Sequence, residues 1–265
     1  MKTKTDIITS YFVLFAILSS LSAFKLKDKQ IGLTCNYAYL HGQNKTNPTL
    51  QNRLILGNAS YFGVLAATTT TTNSGNTTVV GSLGSFPSAS IAGDNITLIG
   101  GTFHRADKEA QDAQNSLTKA YNYLSNLPTL VDLTGTDLSG LILLPGVYEF
   151  SSSAFLSAEL PLILDANGNP DAEWVFKIGS TLITSVGSKV EMIGKGSPYN
   201  VYWKVGSSAS IKGNTKMVGN IVALTSISFG TIATLKGRAL ARNGAITMLA
   251  NYIPSENCRY SVIPN

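Results

Sequence analysis

The chain has 265 residues, of which 44% are hydrophobic, 13% are charged and 24 are glycine. This length allows a full buried core, and low charge with frequent glycine is typical of a turn-rich β protein in one large domain. The net charge of +5 includes lysines at the extreme N-terminus. The other basic residues are scattered along the sequence without interleaved aromatics, which argues against a nucleic-acid partner.

The first 23 residues have the layout of a secretory signal. Lys2 and Lys4 precede an apolar stretch over residues 7–21, and small residues then lead to Ala23 and a charged segment. This pattern predicts a signal peptide over residues 1–23, with a membrane anchor of borderline length as the alternative. We therefore expect a secreted, extracellular mature chain without a membrane partner.

Residues 24–53 are polar and show no period, which predicts an N-terminal extension or cap. Secretion makes Cys35 and Cys258 candidates for one disulfide that joins this extension to a C-terminal tail at residues 254–265. Free thiols are the alternative.

The ordered domain is predicted over residues 54–253. Short strands separated by glycine and asparagine turns begin at Tyr61, and a threonine run occupies residues 68–72. Because this run lies between apolar segments and contains no proline, it predicts a β strand rather than a glycosylated stalk.

One convincing helix is predicted, from about Arg105 to Leu127. Its apolar residues recur at alternating spacings of four and three: Ala106, Ala110, Ala113, Leu117, Ala120, Leu124 and Leu127. They form a single narrow stripe, acidic residues occupy the first turns, and Pro128 ends the helix. Such a helix cannot form a core alone, so we expect it to pack along the strands, where its alanines allow close approach.

Strands return after Gly140, and near the C-terminus they repeat. The segment from Ser208 to Ile211 recurs 18 residues later from Ser226 and a further 19 residues later from Ala245. Each copy alternates small or hydroxyl residues with residues suited to burial, which is typical of a strand with one wet face. Stacked repeats of this length predict a solenoid. Its small outward residues would form two columns: Ser208, Ser226 and Ala245 in one, and Ser210, Ser228 and Thr247 in the other.

The chain lacks the usual components of an active site. Its two histidines are His41 in the extension and His104 at the predicted helix start, and no spacing pairs either with a cysteine or a carboxylate as a metal site would require. The repeated strands carry no carboxylates for calcium or for general-base catalysis. We therefore expect neither an enzyme nor a metal site, and no cofactor.

The hydroxyl array is the remaining functional candidate. One hydroxyl contributes only about 0.5 to 1.5 kcal/mol net, so many must act together on a large, periodic, uncharged ligand. An ice surface and a crystalline polysaccharide both fit, and the absence of outward Trp or Tyr in the columns favours ice. The alternative is that these residues only solvate the outside of a solenoid.

Six stretches of the chain resemble the secreted microbial ice-binding (antifreeze) protein family. They are residues 56–84 (LGNASYFGVLAATTTTTNSGNTTVVGSLG), 143–156 (LLPGVYEFSSSAFL), 164–182 (LDANGNPDAEWVFKIGSTL), 200–211 (NVYWKVGSSASI), 219–227 (GNIVALTSI) and 237–247 (GRALARNGAIT). The resemblance covers about residues 54–253. It implies a mostly β fold, an irregular right-handed β-solenoid of triangular cross-section with one long α-helix packed alongside.

The resemblance also implies that one solenoid face binds ice without chemistry. By alternation, its outward residues are expected to be Thr181, Ile183, Ser208, Ser210, Ser226, Ser228, Ala245 and Thr247, extended from the N-terminal part by Thr70 and Thr72. Their inward neighbours are expected to be Leu182, Ala209, Ile211, Ile227, Phe229, Ile246 and Met248, with Thr71 at an inward position where the family usually has an aliphatic residue.

The composition of this face bears on the strength of its action. Because it mixes Ser, Ala and Ile, we expect moderate freezing-point depression with inhibition of ice recrystallisation as the main effect. We also expect the mature chain to be a monomer. A binding module or adhesin for a crystalline polysaccharide or another solid remains the alternative function.

Overall fold

The computed structural model describes residues 54–67, 72–93 and 95–255. The predictions for residues 1–53 with Cys35, for Thr70 and Thr71, and for Cys258 lie outside the described residues. Within the described ranges no helix is both long and apolar enough to span a membrane.

Strands dominate the described part of the chain. They are β1 (Phe62–Ala66), β2 (Thr72–Ser74), β3 (Thr77–Val80), β4 (Ser82–Ser85), β5 (Ile96–Ile99), β6 (Phe103–Arg105), β7 (Val131–Asp132), β8 (Ile142–Leu143), β9 (Gly146–Phe150), β10 (Ala154–Leu156), β11 (Leu162–Asp165), β12 (Trp174–Ile178), β13 (Leu182–Thr184), β14 (Val190–Ile193), β15 (Val201–Val205), β16 (Ala209–Ile211), β17 (Lys216–Ala223), β18 (Ile227–Phe229), β19 (Thr234–Ala241), β20 (Ile246–Leu249) and β21 (Tyr252–Ile253). The helices that lie wholly within the described ranges are α1 (Lys108–Ser125) and two short 3-10 helices, Gly57–Tyr61 and Pro198–Asn200.

The strands pair in parallel and form three faces. The helix face contains β7, β9, β12, β15, the C-terminal halves of β17 and β19, and then β1, β4 and β6. The mixed face contains β8, β11, β14, the N-terminal halves of β17 and β19, and then β21, β3 and β5. The hydroxyl face contains β10, β13, β16, β18, β20 and β2. One turn of chain supplies one strand to each face in succession, so the described residues form a β-solenoid, as predicted.

The order of strands along the stack differs from their order in the sequence. Strand β1 pairs with β19, with Val64 opposite Ala239, and β2 pairs with β20, with Thr72 opposite Thr247. The N-terminal strands therefore continue the stack beyond the C-terminal ones. Because β6 ends at one extremity of the stack and β7 begins at the other, the connection between them has to run back along the solenoid.

Helix α1 makes this return connection and covers the helix face. Its buried residues include Ala113, Leu117 and Leu124, which pack against outward residues of the sheet such as Val175 and Leu240. The helix face is therefore buried on both sides, as a hydrophobic helix stripe requires.

The interior is filled by the inward residues of all three faces, with aromatic rings stacked on successive rungs. The ring centroids of Tyr148 and Phe176 are 5.6 Å apart, and those of Phe176 and Trp203 are 4.0 Å apart at an interplanar angle of 9°. The Trp203 indole donates to the carbonyl of Val218 at 2.8 Å. Its buried N–H is thus satisfied, as buried polar groups must be.

Two predictions at the start of α1 were wrong in detail. Arg105 lies in β6 and Ala106 has a φ of 52°, so the helix begins at Lys108, with Asp107 as its N-cap. His104 does pair with a carboxylate, because its Nδ1 lies 2.8 Å from Oδ2 of Asp107. The spacing of apolar residues could not predict this pair, because the turn between β6 and α1 brings the two side chains together.

Candidate functional site

The hydroxyl face carries a column of outward side chains in register across its strands. Ile183 is paired with Ser210, Ser210 with Ser228, and Ser228 with Thr247, and the backbone of Thr72 continues this register beyond Thr247. Neighbouring strands are about 4.8 Å apart, so these residues repeat at that interval along the face. We refer to this row as the central column.

The residues that alternate with the central column point into the core. Each is at most 2% exposed, as predicted: Leu182, Ala209, Ile211, Ile227, Phe229, Ile246 and Met248. The central column is held from behind by this packed layer. A side chain on such a backing needs little ordering when it meets a ligand, which lowers the entropy cost of binding.

A second column lies at the corner where the chain enters the hydroxyl face. The amide of Leu182 donates to the carbonyl of Ser208 at 3.1 Å, that of Ala209 to Ser226 at 2.9 Å, and that of Ile227 to Ala245 at 3.0 Å. The same pattern places Thr181 directly before β13, one rung earlier. We refer to these residues, Thr181, Ser208, Ser226 and Ala245, as the corner column.

The corner hydroxyls are engaged within the protein. Oγ of Ser226 accepts from the amide of Ala245 at 3.2 Å, and Oγ of Ser208 lies 3.0 Å from the hydroxyl of Thr225. Ser208, Ser226 and Ala245 are half-buried, as are Ile183 and Ser210 of the central column, whereas Ser228 and Thr247 are exposed. The sequence treated both columns alike, and both take part in joining the rungs, because Oγ of Ser228 in the central column also donates to the carbonyl of Ala209 on the neighbouring strand at 3.4 Å.

Glycines allow this corner to stack closely. A Cβ on Gly206 would overlap the carbonyl of Gly179 in the preceding rung, and a Cβ on Gly244 would overlap the hydroxyl of Ser226. Only glycine permits backbones to approach in this way. The corner glycines therefore set the closeness of the rungs that carry both columns.

Phe155 and Asp137 bound the central column at one end. Phe155 is 42% exposed and is paired with Ile183, and Asp137 forms a parallel β-bridge with Phe155. Desolvation acts to raise the pKa of the Asp137 carboxyl, but the amides of Ser139 and Ser157 donate to it and lower its pKa overall. A charged group therefore lies immediately beyond the aromatic ring.

Sequence reasoning missed both end residues. The signal for Phe155 was present, since residues 153–156 repeat the alternation of residues 181–184. Asp137 forms its β-bridge with Phe155, but the sequence around Asp137 does not repeat the alternation of the other strands. The sequence therefore offered no comparable signal for Asp137.

The outward side chains between Ile183 and Thr247 on this face carry no charge, and no titratable group lies among them. They offer methyl groups and hydroxyls on a fixed lattice. This arrangement can hold an extended neutral partner through many weak contacts, but it offers no nucleophile and no acid or base.

His104, Asp107 and Glu109 are the one group in the described residues whose atoms are close enough to share a metal ion. Both carboxylate oxygens of Asp107 already have partners, because Oδ1 accepts from the amide of Ala110 at 2.9 Å and Oδ2 contacts His104. These contacts cap helix α1. The arrangement is accounted for by the helix start.

Comparison with known proteins agrees with the fold. The sequence model of the ice-binding-like family matches residues 64–254. The chain belongs to the ice-binding-like family. The match begins within β1 and runs through β21, so it includes every strand of the hydroxyl face.

Individual ice-binding proteins resemble the chain over most of its length. A protein from Nostoc sp. (strain HG1) is 45% identical over 200 residues, which is 75% of this chain and 73% of that protein. The crystal structure of an ice-binding protein from an Antarctic biological consortium has 40% identity and a TM-score of 0.71, covering 80% of this chain and 92% of that one. That of an ice-binding protein from the Antarctic ascomycete Antarctomyces psychrotrophicus has 32% identity and a TM-score of 0.71, covering 76% and 98%.

Proposed function

We propose that this chain binds ice through the hydroxyl face. The observation that carries the proposal is the central column, in which Ile183, Ser210, Ser228 and Thr247 stand in register on an uncharged face with a packed core behind them. Membership of the ice-binding-like family supports the same ligand.

The proposed mechanism is adsorption without catalysis. Hydroxyls hold water at lattice-like positions, while methyl groups limit competing hydration around them. Each contact contributes little, so binding requires that many rungs act together on a rigid face. Ice can then grow only in curved fronts between adsorbed molecules, which stops growth.

The finer features of the function are also proposals. The mixture of Ser, Ala and Ile on the face supports moderate freezing-point depression together with inhibition of recrystallisation. The layout of residues 1–23 supports secretion, and we propose that the chain acts outside the cell as a monomer.

Single-crystal freezing hysteresis on the purified chain tests the proposal. We expect faceted ice crystals and a gap between the melting and freezing points. Round crystals without a gap, from protein shown to be folded by circular dichroism, would refute ice binding.

A tyrosine on the central column tests which face is used. In Ser228→Tyr, a bulky ring should stand above its neighbours and prevent a crystal surface from meeting them, so most of the hysteresis should be lost while the melting temperature changes little. Thr97→Tyr on the mixed face is the matched control, because Thr97 is also exposed on a strand. Equal loss in both variants, or full activity in folded Ser228→Tyr, would show that another surface binds ice.

A further inference from the structure

The mixed face gathers lysines that are scattered in the sequence. Lys189 forms a parallel β-bridge with Lys216, so the two lie on adjacent strands about 4.8 Å apart. Lys236 is on the next strand, β19, in register with Val218. Lys212 lies at the corner between β16 of the hydroxyl face and β17, where its amide donates to Oγ1 of Thr184 at 2.9 Å. We refer to Lys189, Lys212, Lys216 and Lys236 as the lysine strip.

The lysine strip has a strong local excess of positive charge. All four side chains are exposed, and none forms an ion pair within the described part of the chain. In the mixed-face strands β14, β17, β19 and β21 the one carboxylate is Glu191, which is exposed on β14 two residues after Lys189. Such a surface attracts anions and accelerates their encounter.

An aromatic ring continues the same row. Lys216 is paired with Thr234, Thr234 with Tyr252, Tyr252 with Thr78, and Thr78 with Thr97. Tyr252 is 47% exposed and stands among these threonines. With Lys189 at its end, the row crosses six strands, or about 24 Å.

We propose that this row binds an anionic polysaccharide that lies across the strands of the mixed face. The ammonium groups of Lys189 and Lys216 would pair with carboxylate or sulfate groups, the ring of Tyr252 would stack on a sugar ring, and the threonine hydroxyls would exchange hydrogen bonds with sugar hydroxyls. This combination favours a carbohydrate over a duplex nucleic acid or an anionic membrane. Phosphates alone would use the lysines and leave the aromatic ring without a role.

The polysaccharide surface and the hydroxyl face are on different sides of the solenoid. A chain held by a polyanion through the mixed face would still present its central column to ice. The inference is therefore independent of the proposed function, and the two can be tested separately in the same variants.

Retention on immobilised sodium alginate, a carboxylated polysaccharide, tests the proposal. We expect retention that falls with added salt and that neutral dextran does not reproduce. Lys189→Gln combined with Lys216→Gln should weaken binding roughly tenfold, and Tyr252→Ala should weaken it roughly threefold. Freezing hysteresis should be unchanged in both variants, which also shows that they fold.

Lys108→Gln combined with Lys119→Gln is the matched control, because it removes the same charge from the exposed side of α1. We expect it to change alginate retention less than twofold. The proposal is overturned by absent retention, by an equal loss in strip and control variants, or by full retention in Tyr252→Ala. Tighter binding to duplex DNA or to phosphatidylserine vesicles than to alginate would overturn it as well.

Discussion

Ile232 occupies a backbone conformation that isoleucine rarely adopts. Its φ is 55°, and Asn214 and Ala250 on the adjacent rungs also have left-handed φ values, of 56° and 50°. The rungs are joined here by backbone hydrogen bonds, because the amide of Asn214 donates to the carbonyl of Thr231 and that of Ile232 to the carbonyl of Leu249. Gly187 and Gly75 have φ values of 80° and 79° at the same corner of neighbouring rungs. The corner thus demands a left-handed residue on each rung, and glycine meets that demand without steric cost.

Ile232→Gly is therefore expected to stabilise the protein. Isoleucine is branched at Cβ and is strained at positive φ, and its side chain is 57% exposed, so little packing is lost. We expect a gain of about 1 kcal/mol in the free energy of unfolding, measured by urea denaturation. The neighbouring exposed Thr231 does not have a positive φ, and Thr231→Gly should destabilise by about 0.5 to 1 kcal/mol. Destabilisation by both variants would contradict the assignment of strain to Ile232.

Asp107 combines a helix cap with a charge. Desolvation acts to raise the pKa of its carboxyl, but the amide of Ala110 and the contact with His104 outweigh this effect and lower the pKa below 3.8. A carboxyl with a lowered folded pKa stabilises the fold at pH values above its unfolded pKa, and this contribution is lost as the pH falls through the folded pKa.

Asp107→Asn should keep the cap and remove the charge. At neutral pH we expect a loss of about 0.5 kcal/mol from the missing interaction with the helix dipole, and Asp107→Ala should lose about 1 kcal/mol or more because the cap is also removed. Urea denaturation at a series of pH values checks this. The difference between wild type and Asp107→Asn should shrink as the pH falls below 3.8, and a difference independent of pH would contradict it.

At the scale of elements, the helix was predictable because its signal is local. The spacing of its apolar residues predicted the buried side, and Ala110, Ala113, Leu117, Ala120 and Leu124 are all at most 1% exposed. The helix was predicted to begin three residues too early, at Arg105 instead of Lys108. Its start depends on the contact of Asp107 with His104 and on the left-handed conformation of Ala106. Both features belong to the turn before the helix, and the periodic spacing of apolar residues along the helix does not encode them.

Leu117→Ala tests how strongly α1 is bound to the helix face. Leu117 is fully buried against the sheet, so its truncation should cost about 3 kcal/mol of unfolding free energy, measured by urea denaturation. Asn115→Ala, on the exposed side of the same helix, is the control and should change stability by less than about 0.5 kcal/mol. A cost below 1 kcal/mol for Leu117→Ala would mean that the helix contributes little to the stability of the solenoid.

At the scale of the whole solenoid, the strand repeat predicted the hydroxyl face but not all of its members. Ser210, Ser228 and Thr247 share a period of 18 or 19 residues, so their register followed from the sequence. The backbone of Thr72 continues the register of this column across 175 residues because β2 stacks on β20. No local pattern encodes that contact, and the family resemblance rather than the period indicated it.

The scattered lysines show the same limit. Lys189 and Lys216 are 27 residues apart, and only the register of the stack makes them neighbours. A solenoid converts distances along the sequence into short distances across strands whenever the separation equals whole turns. A charge patch on such a fold is therefore identified from the pairing register of the strands. In the sequence alone the same charges look dispersed.

The composition of the central column predicts how its activity can be raised. Ile183 supplies methyl groups but no hydroxyl at one end of the column, next to the exposed ring of Phe155. Ile183→Thr keeps branching at Cβ and adds a hydroxyl in register with Ser210. A net hydrogen bond contributes about 0.5 to 1.5 kcal/mol, so adsorption should strengthen by roughly threefold or more, and a given hysteresis should be reached at a correspondingly lower protein concentration.

Val186→Thr provides the control for this gain, because Val186 is 68% exposed in the turn after β13 and lies outside the column. It makes the same kind of apolar-to-threonine change without adding to the row, so its concentration dependence of hysteresis should match that of the wild type. Since only Ile183→Thr places the added hydroxyl in register with Ser210, an equal response would mean that the added hydroxyl acts through general surface hydration. A response confined to Ile183→Thr would show that activity depends on the length of the aligned row.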